Sequence, residues 1–244
     1  MILIIDNYDS FSYNLVQMIG SILVKESEIK ESELKGLVES EAVKTEEVME
    51  KAVIKEEVIK EEVIKEAVIR ELVDYNSKII DIRVIRNDEV TVSQIQELKP
   101  SHIIISPGPG KPKDAGICEE LIRAISNESC LLGICLGHQA ICEALGSKIT
   151  YAKELNHGKQ SLVQINKEEA IFKGLSSEIL VGRYHSLAVE EESLSSNLDV
   201  IARAKDGEIM AIKHKSNNIY GLQFHPESIL TKDGEIILKN FLSL

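Results

Sequence analysis

The sequence predicts an α/β protein with a mostly parallel, doubly wound sheet, a flanking antiparallel portion and a charged helical insertion. Three observations predict this fold class. Short apolar runs alternate with helical segments up to about residue 148, short β-like runs follow one another after it, and residues 24–76 are highly charged. No linker rich in Pro, Gly or Ser divides the 244 residues, so we expect one domain, 1–244, interrupted by 24–76.

The first half of the chain is predicted to supply the parallel strands. "MILIID" is a short apolar strand, and the helix after it carries Leu15, Ile19 and Ile22 at helical spacing. Strands and helices then follow in the order "IIDIRVIR", "TVSQIQEL", "SHIIIS", "DAGICEELIRAIS" and "CLLGI". The second half is predicted to form strands at "SLVQI", "EILVGRY", "DVIARA", "EIMAIKH" and "IYGLQF", before a last helix near 234–242.

Residues 24–76 contain a five-residue repeat, in which Val-Ile pairs alternate with charged residues from 53 to 72. The segment holds 9 Lys and Arg against 16 Asp and Glu, so it carries −7 of the net charge of −12. Five residues advance a helix by about 500°, so the Val-Ile pairs spread around it and form no heptad seam. We expect a charged helical or partly disordered insertion at the amino edge of the sheet, with a partner-binding or oligomerisation helix as the alternative.

The composition argues against several classes of protein. A net charge of −12 and a pI near 5.1 disfavour binding to nucleic acid, which usually requires a basic surface. No stretch approaches the roughly 20 apolar residues of a membrane span, and the N-terminal run does not fit a signal peptide, so we expect a cytoplasmic enzyme. Four cysteines without C-x-x-C spacing favour reduced thiols over disulfides or a zinc site, and we expect no bound metal.

Cys135 lies in "LLGICLGHQA", directly after an apolar strand and before a helix. The G-x-C-x-G pattern at 133–137 is the cysteine counterpart of the G-x-S-x-G elbow, in which a sharp turn lifts a nucleophile out of a sheet. A helix N-terminus also favours the thiolate, which is the nucleophilic form of cysteine. We therefore predict that Cys135 is a catalytic nucleophile.

A thiol nucleophile needs a base, and "YGLQFHPES" offers one. His225 ends a strand-like run, and Glu227 follows two residues later, so both side chains point the same way in an extended segment. Glu227 would then hold the imidazole in its working tautomer. His138, in the helix after Cys135, is the competing base, but we expect it to face away from a nucleophile on the turn.

Acyl transfer also requires hydrogen-bond donors for an oxyanion. The "SPGPG" stretch at 106–110 follows a strand and offers backbone N–H groups in a glycine-bounded turn. The N–H of Leu136, immediately after the nucleophile, is the second donor that we expect. A rigid strand-to-helix turn is the alternative interpretation of the stretch, and the neighbouring elbow favours an oxyanion role for Gly108.

Five motifs stand in order along the chain: "IIDNYDSFSYNLVQ", "ISPGPGKPKDAG", "LGICLGHQAI", "GRYHSL" and "GLQFHPESI". Together they resemble the class I glutamine amidotransferases, and among these the glutaminase subunits of anthranilate synthase and aminodeoxychorismate synthase. The resemblance covers the chain except about residues 24–76. The insertion departs from the family pattern, in which a short loop joins the first helix to the second strand.

The resemblance implies hydrolysis of the glutamine side-chain amide. Cys135 would form a γ-glutamyl thioester, His225 would be the general acid and base, and Glu227 would orient His225. Gly108 and Leu136 would bind the oxyanion. The implied glutamine contacts are Gly108, Pro109, Gly110, Gln139, Ser186 and Leu187. The ammonia would pass to a separate chorismate-using synthase subunit, which would use magnesium, and no cofactor is expected in this subunit.

Several functions remain open at this point. The glutaminase of anthranilate synthase, in tryptophan biosynthesis, is the leading hypothesis, and the alternative is aminodeoxychorismate synthase of folate biosynthesis, or service to both. A cysteine peptidase or a γ-glutamyl hydrolase would also use Cys, His and an acid, but "NYDSF" and "RYHSL" favour the chorismate-linked group. A scaffold or regulatory subunit that works through its charged helical insertion is the non-enzymatic alternative, and the intact triad argues against it.

Overall fold

A computed structural model describes residues 1–40, 69–70, 73–75, 78–125, 128–155 and 158–244. The elements of the first half are β1 (Ile2–Asp6), α1 (Phe11–Ser40), β2 (Ile69–Arg70), β3 (Val73–Tyr75), β4 (Lys78–Ile80), β5 (Ile82–Arg86), α2 (Val92–Leu98), β6 (His102–Ile105), α3 (Cys118–Ala124) and β7 (Cys130–Ile134). The second half contains α4 (Leu136–Ala144), β8 (Ile149–Tyr151), β9 (Lys159–Ile165), β10 (Glu178–Arg183), β11 (Leu187–Val189), β12 (Leu198–Ala204), β13 (Ile209–His214), β14 (Ile219–Leu222) and α5 (Gly234–Leu242).

A ten-stranded sheet organises the molecule, in the order β10-β9-β12-β13-β14-β7-β6-β1-β5-β2. The neighbouring strands β14, β7, β6, β1 and β5 are parallel. Strands β10, β9, β12 and β13 extend this block with antiparallel pairings that run up to β14. The predicted combination of a doubly wound parallel sheet with a flanking antiparallel portion is therefore confirmed.

Alternating side chains explain why the central strands are apolar throughout. In β1, Ile2 and Ile4 belong to one hydrophobic cluster, whereas Leu3 and Ile5 belong to a second cluster. Successive residues of a strand point to opposite faces, so both faces of this strand are covered. Residues of α1 and α5 pack in the first cluster, and residues of α2, α3 and α4 pack in the second.

The helix α1 begins on the core and extends into the predicted insertion. Its apolar residues Leu15, Ile19 and Ile22 are buried, as their spacing predicts. One turn later Lys25 pairs with Glu235 of α5 at 2.7 Å, so the first residues of the predicted insertion still contact the domain. Within the part of the chain that the structure describes, no helix is both long enough and apolar enough to cross a membrane.

The far end of the predicted insertion differs from the helical expectation. Ile69–Arg70 is strand β2, which pairs antiparallel with β5, and Val73–Tyr75 pairs with β4 in a separate hairpin. The predicted strand "IIDIRVIR" is consequently divided between β4 and β5. Most of the five-residue repeat lies outside the described residues.

Candidate active site

Chemically active groups meet at the carboxyl edge of the parallel strands. β1 leads into Asn7, β6 into the loop at 106–110, β7 into Cys135, and β14 into the segment that carries His225. Parallel strands end on the same edge of a sheet, which is where ligands bind in open α/β folds. The sequence therefore brings together segments that are about 100 residues apart.

Cys135 occupies a strained turn between β7 and α4. Its backbone angles are φ 51° and ψ −98°, an uncommon conformation for a residue with a side chain, and its N–H donates to the carbonyl of Leu222 at 2.7 Å. A Cβ added at Gly133 would lie 2.4 Å from the backbone of Gly137, and one at Gly137 would lie 2.5 Å from the carbonyl oxygen of Ile105. Both glycines of the elbow are thus required by close packing of α4 on the sheet.

His225 and Glu227 form a buried pair beside Cys135. Nδ1 of His225 is 2.6 Å from Oε1 of Glu227, and both side chains are almost fully shielded from solvent. Burial opposes protonation of the imidazole, but hydrogen bonds and charges from Cys135 and Glu227 outweigh it and raise the pKa of His225 to about 10. Because Glu227 engages Nδ1, Nε2 is the ring nitrogen left to interact with the thiol.

Aromatic and backbone contacts fix the His225 ring. The ring centroids of Phe11 and Tyr184 lie 5.1 Å and 5.0 Å from that of His225, both in tilted or edge-on geometry. The N–H of His225 donates to the carbonyl of Gly182 at 3.1 Å, and its carbonyl accepts from the Thr231 hydroxyl at 2.6 Å. These contacts leave the imidazole little freedom to turn away from Glu227.

His138, the competing base, lies in α4 and packs against β14. Its ring packs against Gly221 of β14, since a Cβ at Gly221 would be 2.7 Å from Nδ1 of His138. Burial keeps the imidazole neutral and lowers the pKa of His138 to about 3. His138 thus packs on β14 as a neutral ring, whereas His225 is the imidazole paired with a carboxylate.

The loop at 106–110 is anchored by Asn7, the first residue of "NYDSF". The backbone N–H of Asn7 donates to Oγ of Ser106 at 2.9 Å, and its side-chain amide donates to the Ser106 carbonyl at 2.8 Å. A Cβ at Gly108 would lie 2.5 Å from the Asn7 side chain and 2.7 Å from that of Leu136. The two predicted oxyanion donors, Gly108 and Leu136, are therefore neighbours. Pro109 and Gly110 follow as exposed residues of the same loop.

The other predicted glutamine contacts meet at β11. Nε2 of Gln139 donates to the carbonyl of Leu187 at 3.0 Å, which ties α4 to the start of β11. Ser186 is exposed, and its carbonyl accepts from the N–H of Ala152 at 2.9 Å. Both hydrogens of the Gln139 amide are engaged, because Nε2 also donates to Gln223 at 3.1 Å. The side-chain oxygen of Gln139 is the group left to meet a ligand.

A buried polar network beside the start of β11 was not predicted from the sequence. Nε of Arg183 donates to Nε2 of His185 at 3.1 Å, and Nδ1 of His185 donates to the Leu187 carbonyl at 2.9 Å. Arg183 also pairs with Asp206 at 2.9 Å and with Glu208. Burial lowers the pKa of His185 to about 4, so the ring is neutral. The "GRYHSL" motif contains both residues, but the carboxylate partners of Arg183 lie over 20 residues away.

Comparison with known protein families identifies the family of this chain. The family model for glutamine amidotransferase class-I matches residues 58–244. The chain belongs to this family. The sequence predictions of the family, the fold class and glutaminase-type enzymatic activity are therefore confirmed.

The relatives of this amidotransferase include proteins of both chorismate pathways. It is 38% identical to anthranilate synthase component 2 of Pseudomonas aeruginosa, covering 99% of this chain and 94% of the relative. It is 37% identical to the aminodeoxychorismate/anthranilate synthase component 2 of Bacillus subtilis, covering 99% and 95%. The bifunctional protein TrpGD of Thermotoga maritima is 38% identical over 100% of this chain, which spans only 32% of that relative.

A solved structure shares the fold. The crystal structure of a proposed GMP synthase subunit from Thermoplasma acidophilum superposes with a TM-score of 0.67 at 21% identity, covering 99% of this chain and 92% of that chain. At this level of identity the likeness concerns the fold alone.

Proposed function

We propose that the protein is the glutaminase component of a cytoplasmic, chorismate-using synthase, foremost an anthranilate synthase. The observation that carries the proposal is the strained Cys135 elbow beside the buried His225–Glu227 pair. A thiol, an imidazole and an orienting carboxylate in this arrangement are the groups that a cysteine-dependent acyl transfer requires. Membership of the glutamine amidotransferase family indicates that the side-chain amide of glutamine is the acyl donor.

The raised pKa of His225 determines the protonation states in the proposed mechanism. With its pKa raised to about 10, His225 carries a proton at neutral pH, and Cys135 attacks in its nucleophilic form, the thiolate. The thiolate attacks the amide carbon of glutamine, and the oxyanion that forms accepts hydrogen bonds from the backbone at Gly108 and Leu136. His225 then donates its proton to the departing nitrogen, so that ammonia leaves and a γ-glutamyl thioester remains.

Hydrolysis of the thioester regenerates the enzyme. His225, now neutral, takes a proton from a water molecule that attacks the thioester carbon, and the second tetrahedral intermediate uses the same oxyanion donors. Glutamate leaves and Cys135 returns as the thiolate, with His225 protonated again. Glu227 stabilises the imidazolium in both halves of the reaction. No cofactor of this subunit takes part in this scheme, and the partner subunit would use magnesium.

Glutamine is proposed to bind between the loop at 106–110 and β11. Pro109 and Gly110 are the exposed part of that loop, and Ser186 and Leu187, at the start of β11, would contribute backbone N–H groups. The side-chain oxygen of Gln139 would accept a hydrogen bond from the ligand, because both amide hydrogens of this residue are already used. Backbone recognition of this kind suits a small polar substrate.

The pathway is proposed from the names of the relatives. The P. aeruginosa relative is named for anthranilate synthase alone, which favours a role in tryptophan biosynthesis. The B. subtilis relative is named for both synthases, so aminodeoxychorismate synthase of folate biosynthesis is the second candidate. In either case we propose that a separate large subunit receives the ammonia.

The test measures glutamate release from glutamine by the purified protein. The protein is assayed alone, with an anthranilate synthase large subunit, and with an aminodeoxychorismate synthase large subunit, each with chorismate and magnesium. Stimulation by one large subunit, abolished in Cys135→Ser, supports the proposal and names the pathway. Absence of Cys135-dependent glutamate release under all three conditions would refute it.

A further inference from the structure

Gln223 is a fully buried amide that none of the assigned roles uses. It follows β14 and lies two residues before His225. Its backbone N–H donates to the carbonyl of Met210 at 2.9 Å, which continues the sheet pairing beyond the end of β14. Its side-chain nitrogen Nε2 lies 3.7 Å from Sγ of Cys135, within the range of a hydrogen bond to sulfur. The amide therefore faces the reacting atom of the proposed nucleophile.

The direction of this amide follows from the network around it. The oxygen and nitrogen of a glutamine amide are distinguished by their hydrogen-bond partners. The carbonyl of Leu187 can only accept, so the Gln139 group that faces it must be the nitrogen Nε2, at 3.0 Å. The same nitrogen is 3.1 Å from Gln223, which must present its oxygen Oε1 there. The nitrogen of Gln223 is consequently left to face the sulfur.

The network is held by charges that are remote from the site. The Leu187 carbonyl also accepts from Nδ1 of His185, whose Nε2 accepts from Arg183. Arg183 is itself fixed by its buried ion pair with Glu208. A reversed Gln139 would place its oxygen against a carbonyl, which removes a hydrogen bond in a buried site. The orientation of the Gln223 amide is thus determined by the fold.

A buried thiolate needs such a donor. Cys135 is only 8% exposed, so its thiolate receives little hydration. His225 offers a positive charge to the sulfur, and an amide N–H offers a charge-assisted hydrogen bond from a second residue. We propose that Gln223 is a further catalytic residue, whose side-chain N–H donates to the thiolate of Cys135 and stabilises it against protonation. The inference rests on Cys135 being the nucleophile of the proposed function.

The experiment measures alkylation of Cys135 by iodoacetamide as a function of pH, with no glutamine and no synthase present. The modified peptide is quantified by mass spectrometry. The other thiols react slowly at neutral pH, because burial raises the pKa of Cys118 to about 12 and raises that of Cys130 and Cys142. The reaction therefore reports the thiolate fraction of Cys135.

Three variants and one control are compared with the parent protein. Gln223→Leu removes the donor, Gln223→Glu replaces it with an acceptor of the same shape, and Gln223→Asn retains an amide that is one methylene too short. Gln164→Leu alters an exposed glutamine of β9 and serves as the control. Gln223→Asn keeps the inference testable if the leucine variant does not fold.

We expect the alkylation midpoint to rise by about one pH unit in Gln223→Leu and Gln223→Asn, and further in Gln223→Glu, because a hydrogen bond to a charged group is lost. The kcat for glutamine hydrolysis at neutral pH should fall about tenfold in the leucine variant, and the control should match the parent. An unchanged midpoint in folded Gln223 variants would overturn the inference, while Cys135-dependent hydrolysis by the parent would leave the proposed function intact. A shifted midpoint in the Gln223 variants, together with a parent protein that releases no glutamate alone or with either large subunit, would support the hydrogen bond and refute the proposed function.

Discussion

The close approach of α4 to β7 at the elbow predicts a severe effect of Gly133→Ala. The added Cβ would lie 2.4 Å from the carbonyl carbon and oxygen of Gly137 and 2.7 Å from Cδ1 of Ile141. Ordinary contact begins near 3.4 Å, so the first turn of α4 must move by about 1 Å. The obstacle is backbone, which cannot rotate aside as a side chain would. Cys135 lies between the two glycines and must move with that turn.

Gly133→Ala should lower both the stability of the fold and the activity. Overpacking of this kind costs about 1–3 kcal/mol. For a chain of this size each kcal/mol corresponds to about 2–4 °C, so the melting temperature should fall by about 2–12 °C. A displacement of the nucleophile by about 1 Å should lower kcat/KM for glutamine about 100-fold. Thermal unfolding followed by circular dichroism and glutamate release measure the two effects.

Gly20→Ala is the matched control. Gly20 lies inside α1, and a Cβ there would meet nothing within 4 Å. Alanine is favoured over glycine in a helix by about 0.5–1 kcal/mol, so this variant should melt about 1–4 °C higher with unchanged activity. If Gly133→Ala kept the melting temperature and the rate of the parent, the packing of α4 on β7 and the reasoning built on it would be wrong.

Three further predictions concern buried charged and titrating groups. Arg183→Met should destabilise the protein by about 3–5 kcal/mol, because it leaves the buried Glu208 carboxylate without its cation. Arg203→Met breaks an exposed pair and should change the free energy of unfolding by less than about 1 kcal/mol, as measured by urea titration. The free energy of unfolding should decrease as the pH rises from about 6.5 to about 10. Protonated His225 stabilises the folded state fully below its unfolded pKa, and this stabilisation is lost as the folded-state imidazole deprotonates near pH 10. An equal slope of the free energy of unfolding against pH in His225→Leu would contradict this assignment. His138→Leu should release glutamate at a rate within about tenfold of the parent, whereas the rate of His225→Leu should be about 10²–10⁴-fold lower. Equal losses of rate in the two folded variants would contradict the assignment of His225 as the base.

The parallel core was predictable because local pattern and tertiary role agree there. The run "CLLGI" is predicted as a strand and is observed as β7, Cys130–Ile134, buried along its whole length. The helix "TVSQIQEL" is observed as α2, with Thr91 as its N-cap and Gln94 completing a capping box. Each of these segments carries its own start and stop signals. Burial on both faces then leaves no competing arrangement.

Other elements depend on partners that the local pattern does not contain. "IIDIRVIR" is one apolar run, but its first part pairs with β3 in a hairpin and its second part pairs with β1 in the main sheet. The small sheet formed by β8 and β11 also escaped prediction, because each strand has only three residues. Pairing decides such short strands, and pairing is a tertiary property.

The site residues that were predicted have a local sequence pattern, whereas those that were missed depend on tertiary contacts. Cys135, His225 and Glu227 stand in short motifs whose spacing carries their geometry. Arg183 pairs with Asp206, 23 residues away, and the proposed role of Gln223 depends on Cys135, 88 residues away. A buried arginine must be paired and a buried amide must be satisfied, but the sequence does not reveal which residues are buried. Once burial is known, the requirement that every donor find an acceptor orients the Gln139 and Gln223 amides without further assumption.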